Sequence, residues 1–223
     1  MGDKSGEATT LNNVGGVYSA LGEKAKALAY YEQSLPLSRQ VGDKSGEATT
    51  LTNIGLVYSD LGDKRQALDY LDQALPLRRQ VGDKGGEAAT LNNIGLVYSA
   101  LGDKRQALDY YEQALPLLRQ VGDKGGEAAT LHNIGLVYYD LGDKRQALDY
   151  YEQALPLSRQ VGDRWGESVT RYNIAMAARS LGDLARAETE LAQVVAIDEA
   201  VGHPNLASDR AMLEQVQRER RGG

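Results

Sequence analysis

The sequence predicts an all-α protein, a right-handed α-solenoid of five helical hairpins with a C-terminal capping helix. Three observations predict this fold. A pattern of 40 residues recurs along the chain without insertion or deletion. Within each copy, apolar residues twice follow the spacing of an amphipathic helix. Glycine follows each helical stretch, where the chain has to turn.

The repeat is clear from short motifs. Val-Gly-Asp-Lys begins at Val41, Val81 and Val121, Val-Gly-Asp-Arg at Val161, and a degenerate Val-Gly-His-Pro at Val201. Residues 81–120 and 121–160 differ at only four positions: Asn92/His132, Ser99/Tyr139, Ala100/Asp140 and Leu118/Ser158. We therefore divide the chain into repeats 1–40, 41–80, 81–120, 121–160 and 161–200. Residues 201–223 are expected to form a capping helix over 205–218 and a frayed tail.

The third repeat illustrates the two helices of each hairpin. Apolar residues spaced by three and four positions predict a first helix from Glu87 to Leu101. Gly102 ends that helix, and Asp103 suits the N-cap of the second. The second helix stops before Gly122. The following Gly-Asp-Lys-x-Gly segment is expected to be a linker between hairpins.

Packing expectations follow from the small residues. Glycine at one position of the first helix (Gly15, Gly55, Gly95, Gly135) is expected to let it approach an alanine of the second helix (Ala27, Ala67, Ala107, Ala147). Tyrosines at 18, 58, 98 and 138 are expected to fill the core between layers, since the chain has no Phe. Prolines at 36, 76, 116 and 156 fall inside the second helices. We expect each proline to kink its helix, the alternative being that the helix ends there.

These residues resemble a known family. The motif Leu91-x-x-Ile94-Gly95-x-x-Tyr98-x-x-Leu101-Gly102, followed by Ala107, Tyr111, Ala114 and Leu115, is similar to the tetratricopeptide repeat (TPR). The usual period is about 34 residues. The longer period here is similar to that of kinesin light chains and of bacterial sensor arrays fused to signalling domains. The resemblance implies a solenoid scaffold for protein binding, with the first helices lining a concave groove and a role in bacterial signalling.

An asparagine occupies the same first-helix position in all five repeats: Asn13, Asn53, Asn93, Asn133 and Asn173. Its amide offers one acceptor and two donors, which suit the backbone of an extended peptide. In related repeat proteins a similar row binds peptide backbone, so the resemblance implies this role here. The alternative is that each asparagine caps or bridges neighbouring helices. The groove residues expected to add specificity are Asn92, His132, Tyr139, Asp140 and Tyr172.

Composition argues against several other functions. The chain has no Cys and only two His, so we expect no metal site, no cofactor and no catalytic residues, and hence no enzyme. A net charge of −6 argues against nucleic acid as a partner. No apolar run suits a membrane span, and we expect a cytoplasmic protein. The first helices carry cations only at Arg171 and Arg179, which disfavours binding of an acidic tail.

We therefore predict a protein-protein interaction module that binds an extended or helical peptide in a concave groove. The alternative is a structural element that stacks end to end into homo-oligomers through exposed terminal faces. The partner of the module is a protein or peptide in the first case and a second copy of the chain in the other.

Overall fold

The computed structural model describes residues 3–222, which form helices joined by short turns. The helices are α1 Lys4–Ala20, α2 Lys24–Val41, α3 Lys44–Asp60, α4 Lys64–Gln80, α5 Lys84–Leu101, α6 Lys104–Val121, α7 Lys124–Asp140, α8 Lys144–Gln160, α9 Arg164–Ser180, α10 Leu184–Val201 and α11 Leu206–Gly222. Strands are absent from this range, so the all-α prediction is confirmed. Within the same residues, every helix is too short or too polar to cross a membrane.

The chain divides into two compact units, with the boundary after Leu117. In the first unit, α1 packs on α2, α2 on α3, α3 on α4 and α4 on α5. In the second, α7 packs on α8, and this order continues to α11. First helices of neighbouring hairpins also touch, α1 with α3 and α3 with α5 in one unit, and α7 with α9 in the other. Each unit is thus a stack of hairpins, as the repeat predicts.

The glycine-rich segment predicted to be a linker is in fact the first turn of each first helix. Helix α5 begins at Lys84, not at Glu87, because Asp83 caps it. The Gly86 amide donates a hydrogen bond to Asp83 Oδ1 at 2.8 Å. A Cβ on Gly86 would lie 2.3 Å from Asp83 Oδ2, so glycine leaves room for the capping carboxylate. The same cap recurs at Asp3, Asp43, Asp123 and Asp163.

The turn within each hairpin depends on a glycine of left-handed conformation. Gly102, with a φ of 85°, follows α5, and its amide donates to the Ser99 carbonyl at 3.1 Å. Asp103 then caps α6 by accepting from the Gln106 amide at 3.1 Å. A positive φ recurs at the corresponding glycines Gly22, Gly62, Gly142 and Gly182, and also at the glycines that follow the second helices. The predicted glycine stop and aspartate start are therefore confirmed.

The second helices continue past their prolines. Helix α6 runs from Lys104 to Val121 through Pro116, and α10, which has Ala196 at that position, is the same length of 18 residues. The alternative that the second helix ends at proline is therefore wrong. Pro116 and Glu112 both face solvent, so water can hydrogen-bond the Glu112 carbonyl that proline leaves without a donor.

The first-helix glycine lies against the side chain of a larger residue than the predicted alanine. A Cβ on Gly95 would lie 2.6 Å from Tyr111 Cε1, and one on Gly15 would lie 2.6 Å from Tyr31 Cε1. The ring lies one turn further along the second helix than the predicted alanine and reaches back over its glycine. In the second hairpin, a Cβ on Gly55 would also lie 3.1 Å from the Ala67 carbonyl oxygen, which agrees with the predicted approach. In the last hairpin, Ala175 replaces the glycine.

The tyrosines predicted to fill the core stack on a second tyrosine of the same hairpin. The ring centroids of Tyr98 and Tyr110 lie 5.4 Å apart with the ring planes 11° from parallel. The same pairing joins Tyr18 to Tyr30, Tyr58 to Tyr70 and Tyr138 to Tyr150. These rings are only half-buried. They therefore cover the edge of the first four hairpins, while Tyr31, Tyr111 and Tyr151 fill the interior of the first, third and fourth.

Burial between hairpins depends on the preceding neighbour. Ile54 and Val57 of α3 pack against Ala27 and Tyr31 of α2 and are 1% exposed. Val17 occupies the equivalent position of α1 but is 60% exposed. Within residues 3–222 no hairpin precedes α1. One apolar face of the first hairpin is therefore uncovered.

Helix α11 covers the other end. Val216 is fully buried against α9 and α10, and Arg179 Nε lies 2.9 Å from Glu219 Oε2. The helix extends to Gly222, through most of the segment predicted to be a frayed tail. Gly223 lies outside the described residues.

Candidate functional site

The asparagine row lies on the first helices, as predicted. Asn53, Asn93, Asn133 and Asn173 are half-buried, and Asn13 is exposed. Each asparagine is followed in the sequence by a buried Ile or, in α1, by a half-buried Val. The row therefore lies at the border between the core and solvent, where a side chain is held by packing and can still reach a ligand.

In the first unit, Asn53 is tied to the preceding hairpin. Its Nδ2 donates a hydrogen bond to Asn12 Oδ1 at 3.2 Å. Thr50 Oγ1 lies 3.2 Å from the same oxygen. This contact is the helix-bridging role that the sequence left open for the row. It also fixes the orientation of the amide, because the nitrogen has to face Asn12.

In the second unit, His132 makes the equivalent contact with a different side chain. Asn173 Nδ2 lies 3.2 Å from His132 Nε2, and Thr170 Oγ1 lies 3.0 Å from His132 Nδ1. The amide donates to Nε2, so the neutral ring carries its proton on Nδ1. Burial lowers the pKa of His132 to about 4. His132 thus lies at a hairpin junction with both nitrogens engaged, and its ring packs at 5.4 Å on Tyr151.

The other predicted groove residues lie in different surroundings. Tyr139 packs against the core cluster of α8 and α9, and Lys144 Nζ lies 3.2 Å above its ring. Asp140 is exposed at the end of α7. Tyr172 packs under α11, where burial raises the pKa of its hydroxyl. Asn92 is half-buried and has a partner within the protein. The structure therefore brings His132 and Asn173 into contact, whereas α11 covers one side of Tyr172.

Each first helix begins with a cation that was predicted to lie in the linker (Lys4, Lys44, Lys84, Lys124 and Arg164). The two cations predicted on the first helices, Arg171 and Arg179, have acidic partners within the chain. Arg171 is 5% exposed and contacts Glu167 at 3.1 Å as well as Glu190. Arg179 pairs with Glu219 of α11. These internal pairs favour the prediction that the surface does not bind an acidic tail, because such a ligand would have to displace them.

A buried glutamate at each junction was not predicted. Glu87 is 6% exposed, and its carboxylate lies 2.8 Å from Arg79 Nε and 3.1 Å from Lys84 Nζ. Burial alone raises the pKa of Glu87, but hydrogen bonds and charge from Arg79 and Lys84 lower it further, so the net pKa lies below its ordinary value. Equivalent ion pairs are formed by Glu47, Glu127 and Glu167. The sequence shows the glutamate in the glycine-rich segment, but its ion pair with the arginine of the preceding helix is visible only in the structure.

A crevice recurs beside the N-cap of a first helix, at the junction with the preceding hairpin. It measures about 350 Å³ between the first two hairpins, 190 Å³ between the fourth and fifth, and 270 Å³ between the fifth and α11. The three crevices are lined by equivalent repeat positions; one of these positions holds Ser38, Ser158 and Asp198 in turn.

The residue at that repeat position decides how much of the crevice is filled. Arg78 occupies it at the next junction, where Nη2 donates to Thr49 at 2.9 Å and Nη1 to Asp83 at 2.7 Å. Leu118 occupies it in the second unit and is buried. These long side chains take up space that Ser38 leaves open. The variation of this position between repeats was visible in the sequence, but its location beside a crevice was not.

The last crevice holds a cluster of polar residues that sequence reasoning missed. Asp198, His203 and Asp209 are all buried there, and Ser168 Oγ lies 2.5 Å from Asp198 Oδ1. Burial, a hydrogen bond that the protonated Asp209 carboxyl donates to Asp198, and the charge of Asp198 raise the pKa of Asp209 to about 6. The available signal was that each of these residues departs from the pattern of the preceding repeats.

Comparison with family models decides the family. Models described as tetratricopeptide repeat match residues 6–80, 66–120, 86–160 and 170–201, which together exceed half of the chain. The chain belongs to the tetratricopeptide repeat family. The resemblance inferred from the Leu-x-x-Ile-Gly-x-x-Tyr motif is thus confirmed. A comparison with curated protein sequences gives no significant match.

Solved structures share the TPR fold. A STAND protein with a tetratricopeptide repeat sensor from Pyrococcus horikoshii superposes with a TM-score of 0.87 at 18% identity, over 98% of this chain and 34% of that one. The apo quorum sensor NprR from B. thuringiensis gives 0.80 at 21% identity, over 97% and 60%. A Rap protein complexed with Competence and Sporulation Factor gives 0.72 at 18%, over 98% and 66%. At these identities the likeness shows the fold alone.

Proposed function

We propose that this TPR chain is a protein-interaction module that binds an extended or helical peptide along its first helices. In this proposal the asparagine row holds the backbone of the peptide. The observation that carries it is the fixed amide of Asn53, whose Nδ2 is oriented by Asn12. A side chain that is already held in place loses less conformational entropy when a ligand binds.

The hydrogen-bonding capacity of the asparagine suits this role. A carboxamide has two N–H donors and one acceptor oxygen, and the contact with Asn12 uses one donor. The second N–H and the oxygen are the groups that a peptide C=O and N–H would pair with. The network to the neighbouring hairpin and the binding role are therefore compatible within one side chain.

Neighbouring residues supply apolar contacts. One turn beyond the asparagine, Leu56 and Leu96 in the first unit and Leu136 in the second are 37–43% exposed. Leucines exposed beside a polar row suit a peptide whose side chains alternate with backbone contacts. The Rap protein complexed with Competence and Sporulation Factor supports ligand binding by this fold. A cytoplasmic location and a part in bacterial signalling belong to the same proposal.

Selection from a displayed peptide library against the immobilised chain tests the proposal. Selected peptides are then titrated by fluorescence anisotropy with the wild type and with the triple variant Asn13→Ala, Asn53→Ala, Asn93→Ala. We expect the triple variant to bind at least about tenfold more weakly, since each lost hydrogen bond contributes about 0.5–1.5 kcal/mol.

Two controls separate binding from stability. Gln33→Ala removes an exposed amide of a second helix, whose Nε2 donates to the Ala29 carbonyl of the same helix, and should leave affinity unchanged. Asn12→Ala removes the contact that orients Asn53 but keeps the row, and should weaken binding less than the triple variant. Unchanged affinity in a folded triple variant, judged by circular dichroism, would refute the role of the row.

A second candidate function is association of two copies through α1. The uncovered face of α1 carries Val17, while its equivalents Val57, Val97 and Val137 are 0–2% exposed in the interior. Helix α11 instead carries exposed charges, including Arg218 and Arg221. The predicted end-to-end stacking would need an apolar surface at both ends, so the observations favour pairing of α1 with α1.

Light scattering over a concentration series tests this alternative. An increase in mass towards that of a dimer in the wild type, abolished by Val17→Lys, would support association through α1. A constant monomer mass at all concentrations would remove it. Lys26→Ala, which alters an exposed charge of the second helix, serves as the control for a nonspecific effect of charge.

A further inference from the structure

We propose that Asp198, His203 and Asp209 form a binding site for a divalent transition-metal ion of the zinc type, with Ser168 positioning one ligand. This site lies outside the asparagine row, and it revises the expectation from composition that the chain has no metal site. That expectation counted histidines and cysteines, whereas this cluster needs one imidazole and two carboxylates.

The three residues replace others at equivalent positions of the preceding junction. Asp198, His203 and Asp209 stand where the fourth and fifth hairpins have Ser158, Asp163 and Val169. Ser168 likewise stands where the preceding repeats have alanine. The departures are scattered over about 40 residues of sequence, yet they meet in one crevice. The crevice itself is a feature of the repeat, so only its lining has changed.

Asp198 supplies the strongest indication of a cation site. It is completely buried, at the end of α10, and its Oδ1 accepts a hydrogen bond from Ser168 Oγ at 2.5 Å. Its Oδ2 is buried and, while Asp209 is ionised, has no hydrogen-bond partner among the described residues; a proton on Asp209 would let that carboxyl donate to Asp198, and a bound cation would take the place of that proton. A buried carboxylate oxygen without a partner is unfavourable, and a bound cation would satisfy it. The Ser168 hydroxyl would orient this metal ligand through its hydrogen bond.

His203 offers a ring nitrogen to the same point. Its Nδ1 lies 3.7 Å from Asp198 Oδ2 and accepts a hydrogen bond from the Asn205 amide at 3.0 Å. Because Nδ1 accepts this hydrogen bond, it carries no proton, and the proton of the neutral ring is on Nε2. This is the tautomer that coordination through Nδ1 requires, and the metal would replace the amide of Asn205. The Trp165 ring, 3.9 Å away, covers the imidazole.

The ligand set and spacing favour zinc. One atom from each of the three residues lies within 4.8 Å of the others. Tetrahedral zinc with bonds of about 2.0–2.1 Å needs ligand atoms about 3.4 Å apart, so binding would draw the three side chains inward. An imidazole nitrogen favours zinc over calcium or magnesium. The crevice of about 270 Å³ leaves room for water at the fourth position.

The consequence would be a clamp on the last helix. Asp198 lies at the end of α10, His203 in the turn and Asp209 near the start of α11. An ion held by all three would fasten α11 to the fifth hairpin. Metal binding should then raise the temperature at which this end of the protein unfolds.

The test uses the full chain without a histidine tag, freed of metal with EDTA. Zinc chloride is titrated by calorimetry, and cobalt chloride by visible absorbance. We expect one equivalent of zinc to bind, cobalt to give the d–d bands of a low-symmetry site, and the unfolding temperature to rise by several degrees. A wild type that binds no zinc and gives no cobalt bands would overturn the proposal.

The variants restore residues that the preceding junction already accommodates. Asp198→Ser and Asp209→Val should each weaken zinc binding by more than tenfold. Ser168→Ala should weaken it by about tenfold, because the serine hydroxyl orients the Asp198 carboxylate. His132→Asn changes the other histidine of the chain and should leave zinc binding unchanged. Zinc affinity equal to the wild type in both folded Asp variants would refute the assignment.

Discussion

Replacing Gly95 with alanine would place a methyl group where the Tyr111 ring lies. The new Cβ would be 2.6 Å from Tyr111 Cε1 and 2.7 Å from Cδ1, whereas carbon atoms in contact prefer about 3.5–4.0 Å. Tyr111 is 1% exposed, so its ring has no free space to move into. The helices α5 and α6 would therefore have to separate.

The net effect is a balance of two terms. Alanine in a helix interior is more favourable than glycine by about 0.8–1.0 kcal/mol. An extra methyl group in a filled core costs about 1–3 kcal/mol, and a Cβ short of contact distance by about 1 Å belongs in the upper half of that range. We therefore expect Gly95→Ala to lower the free energy of unfolding by about 1–2 kcal/mol.

Urea denaturation followed by circular dichroism measures this change. Gly85→Ala is the matched control in the same helix, because its Cβ would lie 3.8 Å from Asp83 Oδ1, an ordinary contact. We expect that control to be neutral or slightly stabilising. If Gly95→Ala stabilises the protein as much as Gly85→Ala does, close approach to Tyr111 is not the reason for glycine.

A double variant tests the same contact from the other side. The last hairpin has Ala175 and Leu191 in the positions of Gly95 and Tyr111, and both are fully buried. Combining Gly95→Ala with Tyr111→Leu should therefore cost less than the sum of the single changes, by about 1 kcal/mol. Strict additivity would mean that the two side chains do not compete for the same space.

Three further predictions concern the junctions. Glu87→Gln should lower the free energy of unfolding by about 1–3 kcal/mol at neutral pH, and the difference from wild type should vanish as pH falls through the pKa of Glu87, which lies below 4.5. The wild type should lose stability as pH falls from 6.5 to about 4, because the unfolded chain then binds a proton that buried His132 excludes. His132→Asn should remove this part of the pH dependence. Val57→Ala should cost about 1–3 kcal/mol and Val17→Ala less than about 0.5, because Val57 is 1% and Val17 60% exposed. Urea midpoints measured from pH 3 to 8 check all three.

Each of these predictions has a result that contradicts it. For Glu87, the carboxylate stabilises only while it is ionised in the folded state, so a difference that grows on acidification would contradict the ion pairs. For His132, an NMR titration that gives an ordinary pKa near 6.5 would show that the ring is not shielded. Asparagine is a fair substitute there, since Asn12 makes the equivalent contact. Equal losses for Val17→Ala and Val57→Ala would mean that α1 is covered.

Much of the fold could be predicted from residues close together in sequence. The glycine at 102 and the aspartate at 103 mark a turn because an αL glycine and an N-cap act within one helical turn. Helix boundaries were less certain: Lys84 to Gly86 looked like a linker because glycine is a weak helix former. Their helical state depends on Asp83 reaching the Gly86 amide, a contact that needs a glycine beside it.

The candidate site could be predicted only in part. The asparagine row was located from its recurrence and its side-chain chemistry. The hydrogen bonds of the row to Asn12 and His132 could not be predicted. These residues belong to the preceding hairpin, and the register between hairpins is set by packing. Tyr172 looked like a groove residue, yet α11 folds over it.

The sequence by itself determined the period, the helical hairpin, its caps and its family, because each of these depends on local spacing repeated many times. Only the tertiary structure decided that the Tyr111 ring packs over Gly95, and that Asp198, His203 and Asp209 share one crevice. The physical reason is the same in both cases. Direct contact between distant residues is fixed by the depth to which helices interpenetrate, and a periodic pattern records which face is buried but not how deep each side chain reaches.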